Sequence, residues 1–370
     1  MRPLIIALML TIIFAIHYYL VSTLWKFLPA HAAFARVLLI LFAALVVIAP
    51  FVNYFFGDHL PNSLTSALHH ITFSWIILAF YFLIAFALLD VCRLFNLFPV
   101  ERLVYANWWS VGAVGAFALL IILFGGMQYS NKVRVEHSIT LAKDIGAPFT
   151  VVGISDLHLG DGIGKEELES WISLINAEKP DLVLLAGDIV DNNISAAMRR
   201  GYAGSFAKIN ARHGVYAVPG NHEYIAGIEK SEEFFKSVRV PLLRDQTVLI
   251  DDRFYLIGRD DRSNTGRKSL PELLGPLDTK KAIIVLDHQP FDLHAAQENG
   301  VDLQFSGHTH DGQIWPISLI TDLIFEIAHG YLRKGESHIY VSSGIGIWAG
   351  KFRVGTQSEY VVFKFSGAEN

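Results

Sequence analysis

The sequence predicts a bundle of four transmembrane α-helices followed by an α/β domain. Three observations support this fold class. Four long apolar runs lie before residue 131, strand-like and helical patterns alternate after it, and polar residues cluster just behind the strand-like runs. The predicted boundaries are 1–130 for the membrane domain, 131–147 for a connector and 148–370 for the α/β domain.

Each apolar run reaches the roughly 20 residues that a helix needs to cross a bilayer. The runs are apolar on all sides, whereas a buried helix of a soluble protein would show a polar face. An alternative for the first run is a signal peptide ending near Ala30-His31-Ala32, but the run is too long and further spans follow it. The runs cover roughly Leu4–Trp25, Arg36–Phe56, Ile71–Cys92 and Trp109–Gln128.

Charge is distributed unevenly along the chain. Of its 30 basic and 35 acidic residues, five and three lie before residue 131, which leaves 25 and 32 in the remainder. Nucleic acids attract basic surfaces, so this acidic second part argues against nucleic acid as a partner. An acidic site still binds phosphate when cations sit in it.

The loops between the spans carry a small excess of basic residues on one side. Lys26, Arg36, Arg93 and Arg102 lie on that side, against three basic residues on the other. Cytoplasmic loops are enriched in Lys and Arg, so the count places the α/β domain on the non-cytoplasmic side.

After residue 147, β-rich runs alternate with segments of helical spacing, which is typical of sheets flanked by helices. The predicted helices cover Lys165–Ala177, Ile194–Ile209 and Glu223–Val238. The predicted strands cover Phe149–Ser155, Leu182–Ala186, Val215–Val218, Thr247–Ile250, Phe254–Ile257, Ala282–Leu286, Leu303–Phe305, His338–Val341 and Tyr360–Phe365.

Five of these strands are followed directly by polar residues of the types that bind metals. Ligands bind beyond the carboxyl ends of strands in sheets covered by helices, so the five clusters are expected to converge. Each motif alone is a weak signal, but all five in order indicate a metal site. The clusters are Asp156-x-His158, Gly187-Asp188-x-x-Asp191, Gly220-Asn221-His222-Glu223, His288 and Gly307-His308-Thr309-His310.

Carboxylate, imidazole and amide oxygen suit hard or borderline divalent cations. Side chains alternate along an extended chain, so Asp156 and His158 are expected on the same side. His308 and His310 either do the same or divide between two metals, and Asp188 can bridge two metals through its two oxygens. Two such cations polarise a phosphoryl group and lower the pKa of a water.

These motifs resemble the signature of the calcineurin-like metallophosphoesterases over about Phe149–Phe365. The resemblance implies a four-layer α/β/β/α sandwich and two divalent metal ions, with Mn, Fe and Zn all compatible with the ligands. It implies one metal held by Asp156, His158, Asp188 and His310, and another held by Asp188, Asn221, His288 and His308. It also implies that His222 acts catalytically and that Asp191 orients it. Asp311 stands where many family members have Gly.

Gln313-Ile314 and Val341–Gly346 are similar to the membrane-associated branch of that family, some members of which cleave lipid-linked phosphate or pyrophosphate esters. The segment Ile314–Leu332, which follows the histidines, is strongly apolar. It is either a hydrophobic flap or interfacial helix for an acyl or prenyl chain, or an ordinary buried helix. Arg333, Lys334, Lys351 and Arg353 are either phosphate contacts or solvated charges, and Asp260-Asp261-Arg262 is expected to be solvated.

The leading hypothesis is therefore a membrane-bound phosphoesterase that hydrolyses a lipid-like phosphoester with a metal-activated water. One alternative is a phosphodiesterase for soluble substrates whose spans serve only as an anchor. A non-catalytic scaffold is disfavoured because no ligand is missing, and a transporter or sensor is disfavoured because the spans hold few ionisable residues, chiefly His17 and Asp90. The sequence leaves the oligomeric state open.

Overall fold

A computed structural model of the chain describes residues 2–275 and 277–367. It divides into two compact units, Met1–Gly126 and Met127–Asn370. Residue 1 of the predicted membrane domain, and residues 276 and 368–370 of the predicted α/β domain, lie outside the described residues.

Long helices make up the first unit. Four of its helices are long and apolar enough to cross a membrane, which confirms the four predicted spans. The helices are α1 (Arg2–Phe27), α2 (Ala33–Phe56), α3 (Asn62–Leu94), the short α4 (Val100–Leu103) and α5 (Trp108–Ser130), whose last four residues are counted with the second unit.

Few side chains on these helices are buried, as expected where lipid rather than water surrounds the protein. The interior of the unit is formed by α1, α2 and α3, through residues such as Leu20, Val46 and Phe82. The ionisable Asp90 of α3 accepts a hydrogen bond from the Tyr19 hydroxyl at 2.6 Å. An ionisable side chain within a membrane span is expected to pair with a polar group, as Asp90 does here.

Two sheets build the second unit. The first has the order β1-β11-β2-β3-β4, in which only β11 and β2 pair antiparallel. The second has the order β5-β6-β7-β8-β10-β9, with antiparallel pairs at its two edges. The strands are β1 (Lys132–Leu141), β2 (Phe149–Ile154), β3 (Leu182–Ala186), β4 (Val215–Val218), β5 (Gln246–Ile250), β6 (Phe254–Gly258), β7 (Ala282–Leu286), β8 (Leu303–Ser306), β9 (Gly330–Lys334), β10 (Ser337–Val341) and β11 (Ser358–Gly367).

Alternation of side chains along the strands separates the layers of this unit. Leu184 of β3 and Ile284 of β7 belong to one apolar cluster between the two sheets, whereas the neighbouring Leu185 packs against the helices. Val285 of β7 packs on the opposite side with α11 and α12. The helices are α6 (Lys165–Ala177), α7 (Ile194–Arg200), α8 (Ala203–Phe206), α9 (Asn221–Ala226), α10 (Ile228–Val238), α11 (Leu270–Leu274), α12 (Leu293–Glu298) and α13 (Ile317–Ile324). The α/β/β/α sandwich is therefore confirmed.

The structure corrects several predicted elements. Residues 132–141, predicted as part of a connector, form strand β1 and pair with β11 over ten residues. Two predicted helices are each broken by a glycine with a left-handed backbone, Gly201 (φ 61°) and Gly227 (φ 99°). The segment Ile314–Leu332 contains α13 and the start of β9, so it is not one helix.

Candidate metal centre

The five polar clusters predicted from the sequence follow β2, β3, β4, β7 and β8. Parallel neighbours carry their carboxyl ends at one edge, and β2, β3 and β4 are such neighbours, as are β7 and β8. Ligand atoms of Asp156, His158 and His310 lie within 4.8 Å of one another, as do those of Asp188, His288 and His308.

Asp156, His158 and His310 form the first group. The Nε2 atoms of the two histidines lie 3.1 Å apart, and Nε2 of His310 lies 3.5 Å from Oδ1 of Asp156. All three residues are largely buried. Two imidazole nitrogens and a carboxylate oxygen that face each other at this spacing suit a divalent cation.

Asp188, His288 and His308 form the second group. Nε2 of His288 lies 3.1 Å from Oδ2 of Asp188, while Nδ1 of His288 pairs with the carbonyl oxygen of Ala186 at 2.8 Å. When Nδ1 donates that hydrogen bond, the lone pair of Nε2 faces the group, as in metal-binding histidines. Oδ1 of Asn221 is buried and accepts no hydrogen bond from the described residues, so the expected amide ligand has a free oxygen.

Asp188 stands between the two groups. Its Oδ1 accepts a hydrogen bond from the backbone N–H of His222 at 2.9 Å. Its Oδ2 lies 3.9 Å from Nε2 of His158 and 3.1 Å from Nε2 of His288. A single carboxylate oxygen, Oδ2, therefore faces both groups, whereas the sequence suggested a bridge through both oxygens.

His222 lies beside Asp188 and Asp191. Its Nδ1 is 3.2 Å from Oδ1 of Asp191, and its Nε2 is 3.9 Å from Oδ2 of Asp188. Burial alone would lower the pKa of His222, but the Asp191 carboxylate, followed by Asp188, raises the pKa overall. His222 is therefore held toward its protonated form, with one ring nitrogen directed at the site.

The pKa of His308 shifts in the opposite direction. Burial, followed by the neighbouring His288, lowers it to about 4. His308 is consequently a neutral imidazole near neutral pH, and this is the form that binds a metal.

Left-handed backbone conformations are concentrated at the predicted ligand positions. Such conformations are uncommon for residues other than glycine and cost of order 1–3 kcal/mol each. Asp156 and His158 lie behind β2 rather than in an extended segment, so strand alternation is not the reason that they share a group. The φ angles are 57° for Asp156, 47° for His158, 51° for Asp188, 76° for His308 and 51° for His310.

Gly187 shows how tightly these turns are packed. It has a φ of 80°, and a Cβ atom placed on it would lie 2.5 Å from Nδ1 of His288. A side chain at this position would therefore displace the imidazole.

Glu223 has a structural role that the sequence did not indicate. Its fully buried carboxylate accepts hydrogen bonds from the backbone N–H groups of Gly220 at 2.6 Å and Asp188 at 3.0 Å. It also accepts from Ile189 at 2.8 Å and Val190 at 3.0 Å. Glu223 thus joins the turn after β3 to the turn after β4. A glutamate three residues after a helix N-cap predicts only the bond to Gly220.

Arg353 is neither a phosphate contact nor a solvated charge, the two possibilities that the sequence allowed. It is fully buried, and its guanidinium donates to the carbonyl oxygens of His310 at 3.0 Å, Ser343 at 2.5 Å and Gly346 at 3.1 Å. These bonds join the His310 turn to the segment after β10. A Cβ atom on Gly344 of that segment would lie 2.8 Å from Cβ of Asp156.

The other charged residues singled out in the sequence lie in ion pairs. Lys351 pairs with Glu167 at 2.5 Å, and Lys334 pairs with Glu326 at 2.5 Å. Arg333 pairs with Glu336 at 2.8 Å.

The expectation that Asp260 and Asp261 are solvated was wrong. Both are buried, and Asp260 accepts hydrogen bonds from the Tyr224 hydroxyl at 2.6 Å and from Arg244 at 3.1 Å.

The helical part of the apolar segment that follows the histidines is not buried. None of the eight residues of α13 is buried, which excludes the ordinary buried helix. Phe325, just after α13, lies with its ring centroid 6.0 Å from that of His308 and 4.9 Å from that of Phe291. An apolar wall of two aromatic rings therefore stands beside one predicted metal ligand.

Several known proteins are similar to part of this chain, and one is similar to most of it. The family model described as calcineurin-like phosphoesterase matches residues 149–312. An uncharacterized metallophosphoesterase of Helicobacter pylori is 30% identical over 254 residues, which is 66% of this chain and 68% of that protein. The metallophosphoesterase YkuE of Bacillus subtilis is 31% identical over 68% of this chain and 94% of its own length.

The match to a further relative extends beyond the second unit into the apolar helices of this chain. The protein named transmembrane protein with metallophosphoesterase domain, from Danio rerio, is 28% identical over 355 residues, which is 88% of this chain and 78% of that protein. With four helices long and apolar enough to span a bilayer, this chain is a membrane protein. It belongs to the calcineurin-like metallophosphoesterases, a family of metal-dependent phosphoester hydrolases.

Proposed function

We propose that the protein is a membrane-bound phosphoesterase with two divalent metal ions that hydrolyses a phosphoester or pyrophosphate bond of a lipid-like substrate. The observation that carries the proposal is the position of Asp188 Oδ2 between two groups of buried ligands, 3.9 Å from His158 Nε2 and 3.1 Å from His288 Nε2.

The two ligand groups support a division of the seven predicted ligands into two sites that share Asp188. One site would take Asp156, His158, Asp188 and His310, and the other would take Asp188, Asn221, His288 and His308. The ligand set fits Mn, Fe or Zn. Bound there, the metals would polarise the phosphoryl group and supply a water with a lowered pKa as the nucleophile.

His222 would act on the substrate rather than on a metal. Its Nε2 is directed into the site, and its raised pKa favours the protonated ring. A protonated imidazole stabilises the charge that develops on the phosphoryl group and gives a proton to the leaving oxygen. Asp191 would hold the ring in place through the 3.2 Å contact with Nδ1.

A lipid-like substrate is supported by what surrounds the site. The chain carries four candidate membrane spans, so substrates within the bilayer are always close to it. Phe325 and Phe291 form an apolar wall beside His308. Apolar walls with a few polar groups are typical of pockets for molecules with hydrocarbon parts.

The test compares hydrolysis of phospholipids, nucleotide-linked lipids and a chromogenic soluble phosphodiester by the full-length protein with defined metals. We expect the highest kcat/KM for a lipid-like ester. A clear preference for the soluble diester would instead favour a phosphodiesterase with an anchor. No turnover of any ester, with metals bound, would favour a non-catalytic protein.

A further inference from the structure

Helix α13 displays a strip of apolar side chains directly after the metal-binding histidines. Leu319, Ile320, Leu323 and Ile324 are 54%, 55%, 87% and 59% exposed. At roughly 100° per residue they lie on one side of the helix, and Asp322 lies roughly 130° from their centre. We call these four residues the α13 strip.

The strip is a concentrated patch rather than scattered surface apolar residues. Ten large apolar residues are exposed in the described residues after position 130, and five of them lie between Trp315 and Ile324. Met198, Ile225 and Leu249 are isolated from that segment in the sequence and need no explanation. A contiguous exposed apolar patch marks a contact with a protein or a membrane.

Both ends of α13 are fixed by contacts with the rest of the fold, and one of these contacts is with Thr309 of the turn that holds His308 and His310. The hydroxyl of Thr309 donates to the carbonyl oxygen of Ala328 at 2.5 Å, after the helix. Before the helix, the N–H of Trp315 donates to the carbonyl oxygen of Val354 at 2.7 Å. A Cβ atom on Gly312 would lie within 2.7 Å of the backbone of Ile317. The strip is thus held at a fixed place beside His308 and His310 and is not a loose flap.

We propose that the α13 strip inserts into the surface of the lipid bilayer and thereby holds His308 and His310 close to it. The bilayer is the favoured partner because this chain carries its own candidate spans, so a lipid surface is always present. Trp315, Tyr331 and Trp348 are exposed by 54%, 40% and 45%, and Trp and Tyr prefer the interfacial region of membranes. An amphipathic helix with such residues binds in the plane of the interface.

This inference rests on the proposed lipid-like substrate, for which it supplies the route: the phosphoester would reach the centre without leaving the bilayer surface. The main experiment, fluorophore labelling, measures depth in the bilayer and not hydrolysis, so its failure is distinguishable from failure of the proposed function. The chain has one cysteine, so Cys92→Ser gives a background in which single labelling sites can be placed.

In that background, Ile320→Cys, Leu323→Cys, Asp322→Cys and Leu249→Cys are each labelled with an environment-sensitive NBD fluorophore. The full chain is reconstituted into vesicles of phosphatidylcholine and phosphatidylglycerol, with or without lipids carrying a nitroxide on the acyl chain. We expect blue-shifted emission and strong quenching at positions 320 and 323, weaker quenching at 322 and none at 249.

Equal exposure to water at positions 323 and 249 would overturn the proposal. So would a blue shift at 323 without nitroxide quenching, because that result indicates a protein contact. As a second measurement, Leu323→Asp should lower several-fold the ratio of hydrolysis of a vesicle-embedded ester to that of a soluble diester. The matched Leu249→Asp should leave this ratio unchanged, and an unchanged ratio in both variants would count against the proposal.

Discussion

Nδ1 of His222 lies 3.2 Å from Oδ1 of Asp191, while Nε2 of the same ring is directed at Asp188. The imidazole is therefore held between two carboxylates, one beside the site and one within it. Because both carboxylates favour the protonated ring, this arrangement sets the pH at which His222 can donate a proton.

The first prediction concerns the pH dependence of hydrolysis. A reaction that needs protonated His222 loses rate as the pH rises through the pKa of His222. Asp191→Asn removes the charge that raises this pKa, so the alkaline fall of kcat should move to lower pH. Profiles of kcat against pH for the wild type and Asp191→Asn check this.

His222→Ala serves as the reference for that experiment. It should lower kcat by about 10²–10⁴-fold and remove the alkaline limb assigned to His222. An ester with a strongly acidic leaving group should be affected less, because its leaving oxygen needs no proton. An unchanged profile in Asp191→Asn would show that Asp191 does not act through His222.

The second prediction concerns Asp188, which we propose as a ligand shared by two metals. Because its Oδ2 faces both groups, Asp188→Ala should lose both metals, whereas His310→Ala and His288→Ala should each lose about one of the two. Metal content per chain, measured by elemental analysis after gel filtration, checks this. Equal losses in all three variants would contradict two sites that share Asp188.

Much of the candidate site could be predicted from the sequence because the motifs that carry its residues are local. Asp156, Asp188 and His288 each follow a strand of apolar residues, and parallel strands present their carboxyl ends together. The turn conformations could not be predicted, since Asp156, with a φ of 57°, packs closely against residues as distant in the sequence as Gly344.

For the same reason, the sequence did not predict the structural role of residues whose contact partners are distant in the chain. Arg353 looks like a surface charge in the sequence, since its carbonyl partners at Ser343 and His310 come together only in the fold. Strand β1 was missed because its pairing partner, β11, lies more than two hundred residues later. The apolar segment that contains α13 was recognised, but hydrophobicity alone does not distinguish a buried helix from an exposed one.

The third prediction concerns the buried carboxylate of Glu223. Glu223→Ala leaves four backbone N–H groups without their acceptor, and each such group costs about 1–3 kcal/mol when it stays buried. The unfolding temperature of the full-length protein in detergent should therefore fall clearly. Glu298→Ala, at an exposed position, is the control and should change stability by no more than about 0.5 kcal/mol. Similar melting of the two variants would exclude this role for Glu223.

The fourth prediction concerns the side of the membrane on which the second unit lies. The excess of basic residues in the loops after the first and third spans predicts that this unit lies outside the cytoplasm. Glu336 is 94% exposed at its side chain, so Glu336→Cys in the Cys92→Ser background should react with an impermeant maleimide in intact cells. Labelling only after the cells are lysed would show instead that the second unit lies in the cytoplasm.

The fifth prediction concerns Arg353, which we expect to position His310 without touching substrate. Arg353→Lys keeps the charge but loses the planar fork that reaches the carbonyl oxygens of His310, Ser343 and Gly346. Weaker metal retention and a lower kcat should follow, because the His310 turn is no longer held against Asp156. The KM measured with saturating metal should change little, since a positioning residue contributes no contact to the substrate. Chelator competition measures metal retention, and Lys351→Arg, at a partly exposed ion pair, is the matched control. A raised KM with normal metal retention would contradict a role for Arg353 in positioning His310.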